Sequence, residues 1–130
     1  MKICLKKPGS KNILVECGEQ YRTACAKLFL GEDTTVTFVR LNSDGTLFMA
    51  VDEDGCMKRL EPNFVLECRD IFTNSIRGDV IVGTAVFMRI KQVGLEEVWD
   101  YEVDDLTDED LKIIENIFAV SDTYEIVRRV

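Results

Sequence analysis

The sequence predicts an α+β fold: a mixed, mainly antiparallel sheet with two main helices packed on it. Three observations carry that expectation. Alternating or apolar runs of strand length recur between turn residues, at 2–6, 12–17, 34–42 and 47–51, the third of them rich in β-branched residues. Two other stretches space their apolar residues as a helix does, Tyr21–Phe29 and Asp108–Phe118. The strand runs are joined by short turns, which antiparallel pairing allows and parallel pairing does not. With 130 residues, 46% hydrophobic and 31% charged, the chain is expected to form one domain, 1–130, around its own core.

In order along the chain, Lys2, Cys4 and Lys6 alternate with Ile3 and Leu5, the pattern of a half-buried strand. Lys7-Pro8-Gly9-Ser10 is turn chemistry, and Ile13-Leu14-Val15 then reads as the second arm of a hairpin. Gly18-Glu19-Gln20 opens a helix whose expected inward face is Tyr21, Ala24, Cys25, Leu28 and Phe29, closed by Gly31. Thr34–Asn42 and Leu47–Val51 flank Ser43-Asp44-Gly45, a strong hairpin signal. A second acidic turn, Asp52-Glu53-Asp54-Gly55, precedes Cys56–Leu60, read as a short returning strand.

Residues 61–78 break the pattern, yet Phe64, Val65, Leu66, Cys68, Ile71 and Phe72 are too apolar for a solvated loop. They are expected to cover the core as extended segments or short turns, with Thr73-Asn74-Ser75 at a surface tip. Val80–Ile90 is apolar on both faces and reads as one strand at the centre of the sheet, with Gly83 marking a bulge or a close approach. A charge at Val82 is therefore expected to unfold the chain. Val98–Val103 reads as a further strand or ordered loop. Thr107, with Asp110 three residues on, predicts a capping box for a helix whose apolar face is Leu111, Ile114, Ile117 and Phe118. Tyr124, Ile126 and Val127 could add a last strand.

Composition narrows function more than it defines it. No histidine occurs, which excludes histidine-dependent hydrolysis and histidine-ligated metal or haem. Lys+Arg 16 against Asp+Glu 24 gives a net charge of −8, which disfavours direct nucleic-acid binding. The N-terminal stretch lacks a leader pattern, and the longest apolar run is about half of the ~20 residues that span a membrane. A cytoplasmic protein without membrane association is expected. The five cysteines show no Cys-x-x-Cys spacing, so neither a metal site nor a cofactor is expected, and the thiols read as reduced, buried hydrophobes. Cys4 and Cys17 stand on consecutive strands and could be neighbours.

Two acidic clusters invite a functional reading. Asp52, Asp54, Gly55 and Glu61 match part of a calcium loop, but the first ligand position falls on Ala50, and a solvated hairpin tip fits better. Asp100, Glu102, Asp104, Asp105, Asp108, Glu109 and Asp110 form a run that could face a cation or a protein partner, or simply cap a helix and meet water. Trp99 and Tyr101 alternate beside it, as either an exposed aromatic pair or the rim of the core. The partner-binding candidates are thus Trp99, Asp100, Tyr101, Glu102, Asp104 and Asp105, and no catalytic set is legible.

The Lys6-Lys7-Pro8-Gly9 turn, the Thr34–Val51 hairpin, Arg59-Leu60-Glu61-Pro62-Asn63, the Gly78–Phe87 stretch and Leu106-Thr107-Asp108-Glu109 occur in an order that resembles a small uncharacterised family, a domain of unknown function. Its members are found in phages, integrative conjugative elements and genomes of gut Gram-positive bacteria. The resemblance spans most of residues 1–119 and implies a context among accessory genes of mobile elements. The family has no assigned activity, so no site residues carry over.

The expected function is that of a non-enzymatic accessory protein acting by protein–protein contact through the acidic and aromatic surface, with self-association left open. The alternative is a small-ligand or nucleotide-binding module, with a cavity beside Gly83 under the 61–78 cover. An enzyme ranks third, since it would need a carboxylate pair tuned by burial.

Overall fold

The computed structural model describes residues 1–69, 76–91 and 100–117. Its elements are β1 (Lys2–Lys6), β2 (Ile13–Glu16), α1 (Arg22–Leu30), β3 (Val36–Arg40), β4 (Leu47–Asp52), β5 (Pro62–Arg69), β6 (Ile76–Val82), β7 (Ala85–Ile90) and β8 (Val103–Asp104). A second helix, α2, runs over 108–117. The main sheet has the order β2-β1-β7-β4-β3, with β8 pairing β7, and β5 and β6 form a separate two-stranded sheet. Every pairing is antiparallel. The α+β class and both predicted hairpins of the main sheet therefore stand.

Side-chain parity divides the core between the two faces of this sheet. Ile3 and Leu5 of β1, Val86 and Met88 of β7 and Ala50 of β4 form one apolar layer with Cys25 and Ala26 of α1. Cys4, Leu47, Met49, Ala85 and Phe87 form the other, covered by Phe64, Leu66 and Ile81 of the small sheet and by Ile114 of α2. Phe64 stacks on Phe87 with ring centroids 6.3 Å apart. The two helices thus lie on opposite faces, and 61–69 supplies the expected second cover, as a regular strand rather than irregular turns. Each large side chain so buried contributes roughly 1.5–3 kcal/mol.

Several expectations need correction. β1 is buried on both faces from Ile3 to Lys6, because the small sheet closes over its second side. Lys6 is only 6% exposed there. Its ammonium donates to Asn63 Oδ1 at 3.0 Å, while Asn63 Nδ2 donates to the carbonyls of Lys6 (2.7 Å) and Gly83 (2.9 Å). This satisfied polar knot lets a lysine sit in the core. Val80–Ile90 is not one strand. Gly83, at φ 73°, breaks it, so β6 leaves for the small sheet and only β7 is central. Val82 is half-buried at the end of β6, whereas Val86 is fully buried in β7 and is where a charge would unfold the chain. Residues 56–59 form turns, not a strand, and Arg59 adopts φ 57°.

The inward face of α1 is rotated by about one residue from the expected one. Cys25 and Ala26 are buried, Arg22, Phe29 and Leu30 are half-buried, and Tyr21 and Leu28 are exposed. The reason lies in the entry to the helix, described below. Cys17 meets Cys25, with sulfurs 3.1 Å apart, rather than Cys4, which faces the opposite layer. Burial pushes the Cys4 thiol up to about 11, and burial together with the Cys17 thiol pushes Cys25 well above its ordinary value. Both are therefore protonated and weakly nucleophilic at neutral pH. Of the predicted strand at Val98–Val103, only the bridge at Glu102 and β8 form among the described residues. Trp99, Phe118, Thr73-Asn74-Ser75 and the stretch from Tyr124 to Val127 lie outside the described residues.

Candidate functional site

The segment 100–110 holds all but one of the residues singled out as a partner surface, and four of its seven carboxylates, Asp100, Glu102, Asp105 and Asp110, accept hydrogen bonds from residues outside the segment, though only Asp110 is buried. Its path is set by backbone pairing. Glu102 bridges Tyr21, Val103 donates to Gln20 O at 2.8 Å, and Arg22 donates to Tyr101 O at 2.9 Å. The start of α1 is thereby stitched to this segment, some 80 residues later in the chain.

Asp100 serves as a cap supplied from outside the helix. Tyr21 at the N-cap position makes no side-chain capping bond. Asp100 Oδ2 instead accepts from Thr23 N–H at 3.3 Å, satisfying a donor that the helix leaves unpaired, and its charge complements the positive helix end. Its Oδ1 lies 3.4 Å from Arg22 Nε. The Arg22 guanidinium stands over three rings, at 4.1 Å from the Phe38 centroid, 4.6 Å from Tyr101 and 5.5 Å from Phe48. Cation–π attraction of roughly 0.5–2 kcal/mol per pair explains why a charged residue occupies the inward face of α1. Anchoring Arg22 inward rotates the helix and sends Leu28 to solvent.

Glu102 accepts from Gln20 Nε2 at 2.6 Å and lies 3.6 Å from Lys91 Nζ. Asp105 Oδ1 accepts from Lys2 N–H at 2.7 Å, and Leu106 donates to Lys2 O at 3.1 Å, tying the segment to β1. Asp104 Oδ1 accepts from Asp105 N–H at 2.8 Å. Asp110, only 2% exposed, completes the predicted capping box: Thr107 N–H donates to its carboxylate at 2.9 Å and its own N–H donates to Thr107 Oγ1 at 3.2 Å. Arg89 of β7 pairs with the same carboxylate at 3.2 Å.

Tyr101 is what this arrangement offers to solvent. It is 37% exposed, with one ring face on the Arg22 guanidinium. Asp108 and Glu109, at the start of α2, are exposed as well. Arg22 lies off the apolar stripe that periodicity assigns to the inner face of α1, so sequence reasoning misses it, along with Phe38 and Phe48 as its platform. No local pattern marks an arginine as inward, because its partners are the tertiary rings and Asp100.

The second acidic cluster is closed by its own neighbours. Asp52 Oδ2 pairs with Lys58 Nζ at 2.8 Å, and Oδ1 accepts from Asp54 N–H at 2.9 Å. Burial raises the carboxyl's pKa, but Lys58 and the Asp54 N–H outweigh it and hold the group below its ordinary value. Among the described residues no cluster of three or more Cys, Asp or Glu is arranged to hold a metal ion. The space over Gly83, expected to open a cavity, is filled by Leu60: a Cβ on Gly83 would stand 2.7 Å from Leu60 Cδ1. A concavity of about 600 Å³ lies instead along the outer side of α1, lined by Glu19, Ala24, Lys27, Leu28, Gly31 and Glu32. No helix among the described residues is long and apolar enough to cross a membrane. Comparison with known proteins finds no matching family model, no matching curated protein and no matching solved structure.

Proposed function

We propose that this protein is a non-enzymatic interaction module that docks a basic protein surface onto Tyr101 and the carboxylates around it. The observation that carries this reading is the mounting of Tyr101. Its ring rests on a guanidinium that Phe38, Phe48 and Asp100 already hold. A partner that buries Tyr101 therefore has little side-chain freedom left to remove, and Tyr and Arg are the residue types that dominate binding energy at interfaces. Asp104, Asp108 and Glu109 stand at least partly exposed nearby in the chain, in a molecule of net charge −8, so a basic partner is favoured. As part of the same proposal, we assign this activity to accessory proteins of mobile elements in gut Gram-positive bacteria, the context that the sequence resemblance implies.

The test compares the parent with Tyr101→Ala and Asp104→Lys in affinity capture from a lysate of a Gram-positive gut bacterium. The expected result is one basic protein, recovered by the parent at stoichiometric level and lost from both variants, with thermal stability nearly unchanged in Asp104→Lys and lowered in Tyr101→Ala only by the lost Arg22 contact, about 0.5–2 kcal/mol. Recovery that is equal for parent and variants would overturn the assignment of this surface.

A further inference from the structure

We propose that β2 is a self-pairing edge, at which a second copy of this chain adds across a two-fold axis and continues the main sheet. β2 ends the strand order and, among the described residues, pairs with β1 alone. Its backbone orientation follows from the pairing next to it. Cys17 N–H donates to Met1 O and the Met1 ammonium donates to Cys17 O, both at 2.7 Å. In an antiparallel pair such exchanges alternate along the strand. Val15 and Ile13 therefore turn their backbone groups toward β1, and the N–H and C=O of Leu14 and Glu16 point away from the sheet. Ile13 and Leu14 are each 50% exposed, on opposite faces of the same strand. An edge with outward donors, outward acceptors and apolar side chains is a template for another strand.

A second copy fits this edge in a specific register. A two-fold axis normal to the sheet preserves its faces, so only positions of equal parity can meet. Centring the axis on Leu14 lets the outward groups of the two Leu14 residues exchange two hydrogen bonds. Ile13 then lies opposite Val15 of the other copy, and Asn12 lies opposite Glu16. The ends match in charge: Lys7 and Lys11 stand at the turn that enters β2, Glu16 and Glu19 where the chain leaves it. Antiparallel docking sets the basic end of each copy against the acidic end of the other, whereas a parallel arrangement would set like against like. A pairing of four-residue strands buries far less than the roughly 1,200–2,000 Å² of stable complexes, so the dimer is weak and concentration-dependent.

Sedimentation equilibrium under reducing conditions, from micromolar to near-millimolar protein, tests this. The mass is expected to climb from 14.8 kDa toward twice that value. Leu14→Lys should keep the chain monomeric throughout. Leu14→Pro, which deletes an outward N–H without touching the β1 ladder, should weaken association about tenfold, the loss expected from two modest hydrogen bonds. Leu28→Lys, on the exposed side of α1, should leave it unchanged. The Leu14 amide should also exchange more slowly with solvent as concentration rises, while the Ile13 amide does not change. A parent that stays monomeric, or a dimer that survives Leu14→Lys, overturns the proposal. Should Leu14→Pro fail to fold, the Leu14→Lys comparison decides alone.

Discussion

The two helices begin in opposite ways. α2 carries its own start: Thr107 and Asp110, three residues apart, exchange side-chain bonds with each other's backbone N–H groups. α1 carries none. Its first donors are satisfied by Tyr101 O and Asp100 Oδ2, and its N-cap residue contributes no side-chain bond. A local cap forms as soon as the helix does. A cap supplied by residue 100 exists only after β7, β8 and residues 100–102 are in place. The first turn of α1 is therefore conditional on the rest of the fold, and that of α2 is conditional on much less.

Breaking the local cap should cost most, because α2's cap is also tied to the sheet. Asp110→Ala removes the acceptor for Thr107 N–H and leaves the half-buried Arg89 without its carboxylate. A loss of about 2–4 kcal/mol is expected in urea denaturation, between the cost of a lost cap and that of a broken buried ion pair. Asp110→Asn keeps an acceptor at the cap and should recover about 1 kcal/mol of this. A loss in Asp110→Ala no larger than that in Asp110→Asn would show that the cap acceptor contributes nothing, and parental stability in Asp110→Asn would show that the Arg89 charge pair contributes nothing.

Asp100→Ala attacks the remote cap and should cost about 1–2 kcal/mol, since Arg22 keeps its three rings. Its more telling signature is local. Amide exchange should accelerate at Thr23, in the first turn of α1, and stay unchanged in the first turn of α2. Acceleration in both would mean that the two helix starts are coupled through the 100–106 segment.

The smallest effect is expected at another local closure, Asp52 with Lys58. A carboxyl held below its ordinary value of 3.8 stabilises the fold above that pH, and the contribution drains away as pH falls through the lowered value. Asp52 raises the Lys58 pKa above 10.5, so that contribution is lost only as pH rises through the raised value. The pair's contribution should thus be fully present and independent of pH from about pH 5 to 9. Comparing melting temperatures of the parent and Asp52→Asn, the gap should narrow below about pH 4, where the parent's carboxyl protonates. A gap that is constant down to pH 2 would mean that the pair contributes nothing through charge.

Arg22 shows where sequence reasoning stops. Its neighbours Tyr21, Ala24, Cys25, Leu28 and Phe29 make a better apolar stripe than the face that is buried, so periodicity alone places Cys25 and Phe29 inward as observed but misses the true face by about one residue. Three rings from β3, β4 and the 101 position, with the Asp100 carboxylate, shift the helix by that amount. The same holds for the acidic run. As a string it reads as a charged surface; folded, Asp100, Glu102, Asp105 and Asp110 accept hydrogen bonds from α1, its lead-in, β1 and the α2 cap.

What the sequence determined by itself is whatever depends on neighbours along the chain. The β1–β2 and β3–β4 hairpins follow from their turn residues, the end of α1 from Gly31 at φ 113°, and the start of α2 from Thr107 and Asp110. The double burial of the central strand was equally legible, because a run with no polar side can sit nowhere else. Only the tertiary structure decided which face of α1 turns inward, that Gly83 divides one apolar run between two sheets, and which carboxylates accept hydrogen bonds from distant parts of the chain. Those outcomes depend on atoms contributed by residues dozens of positions away, and side-chain spacing along the chain carries no information about them.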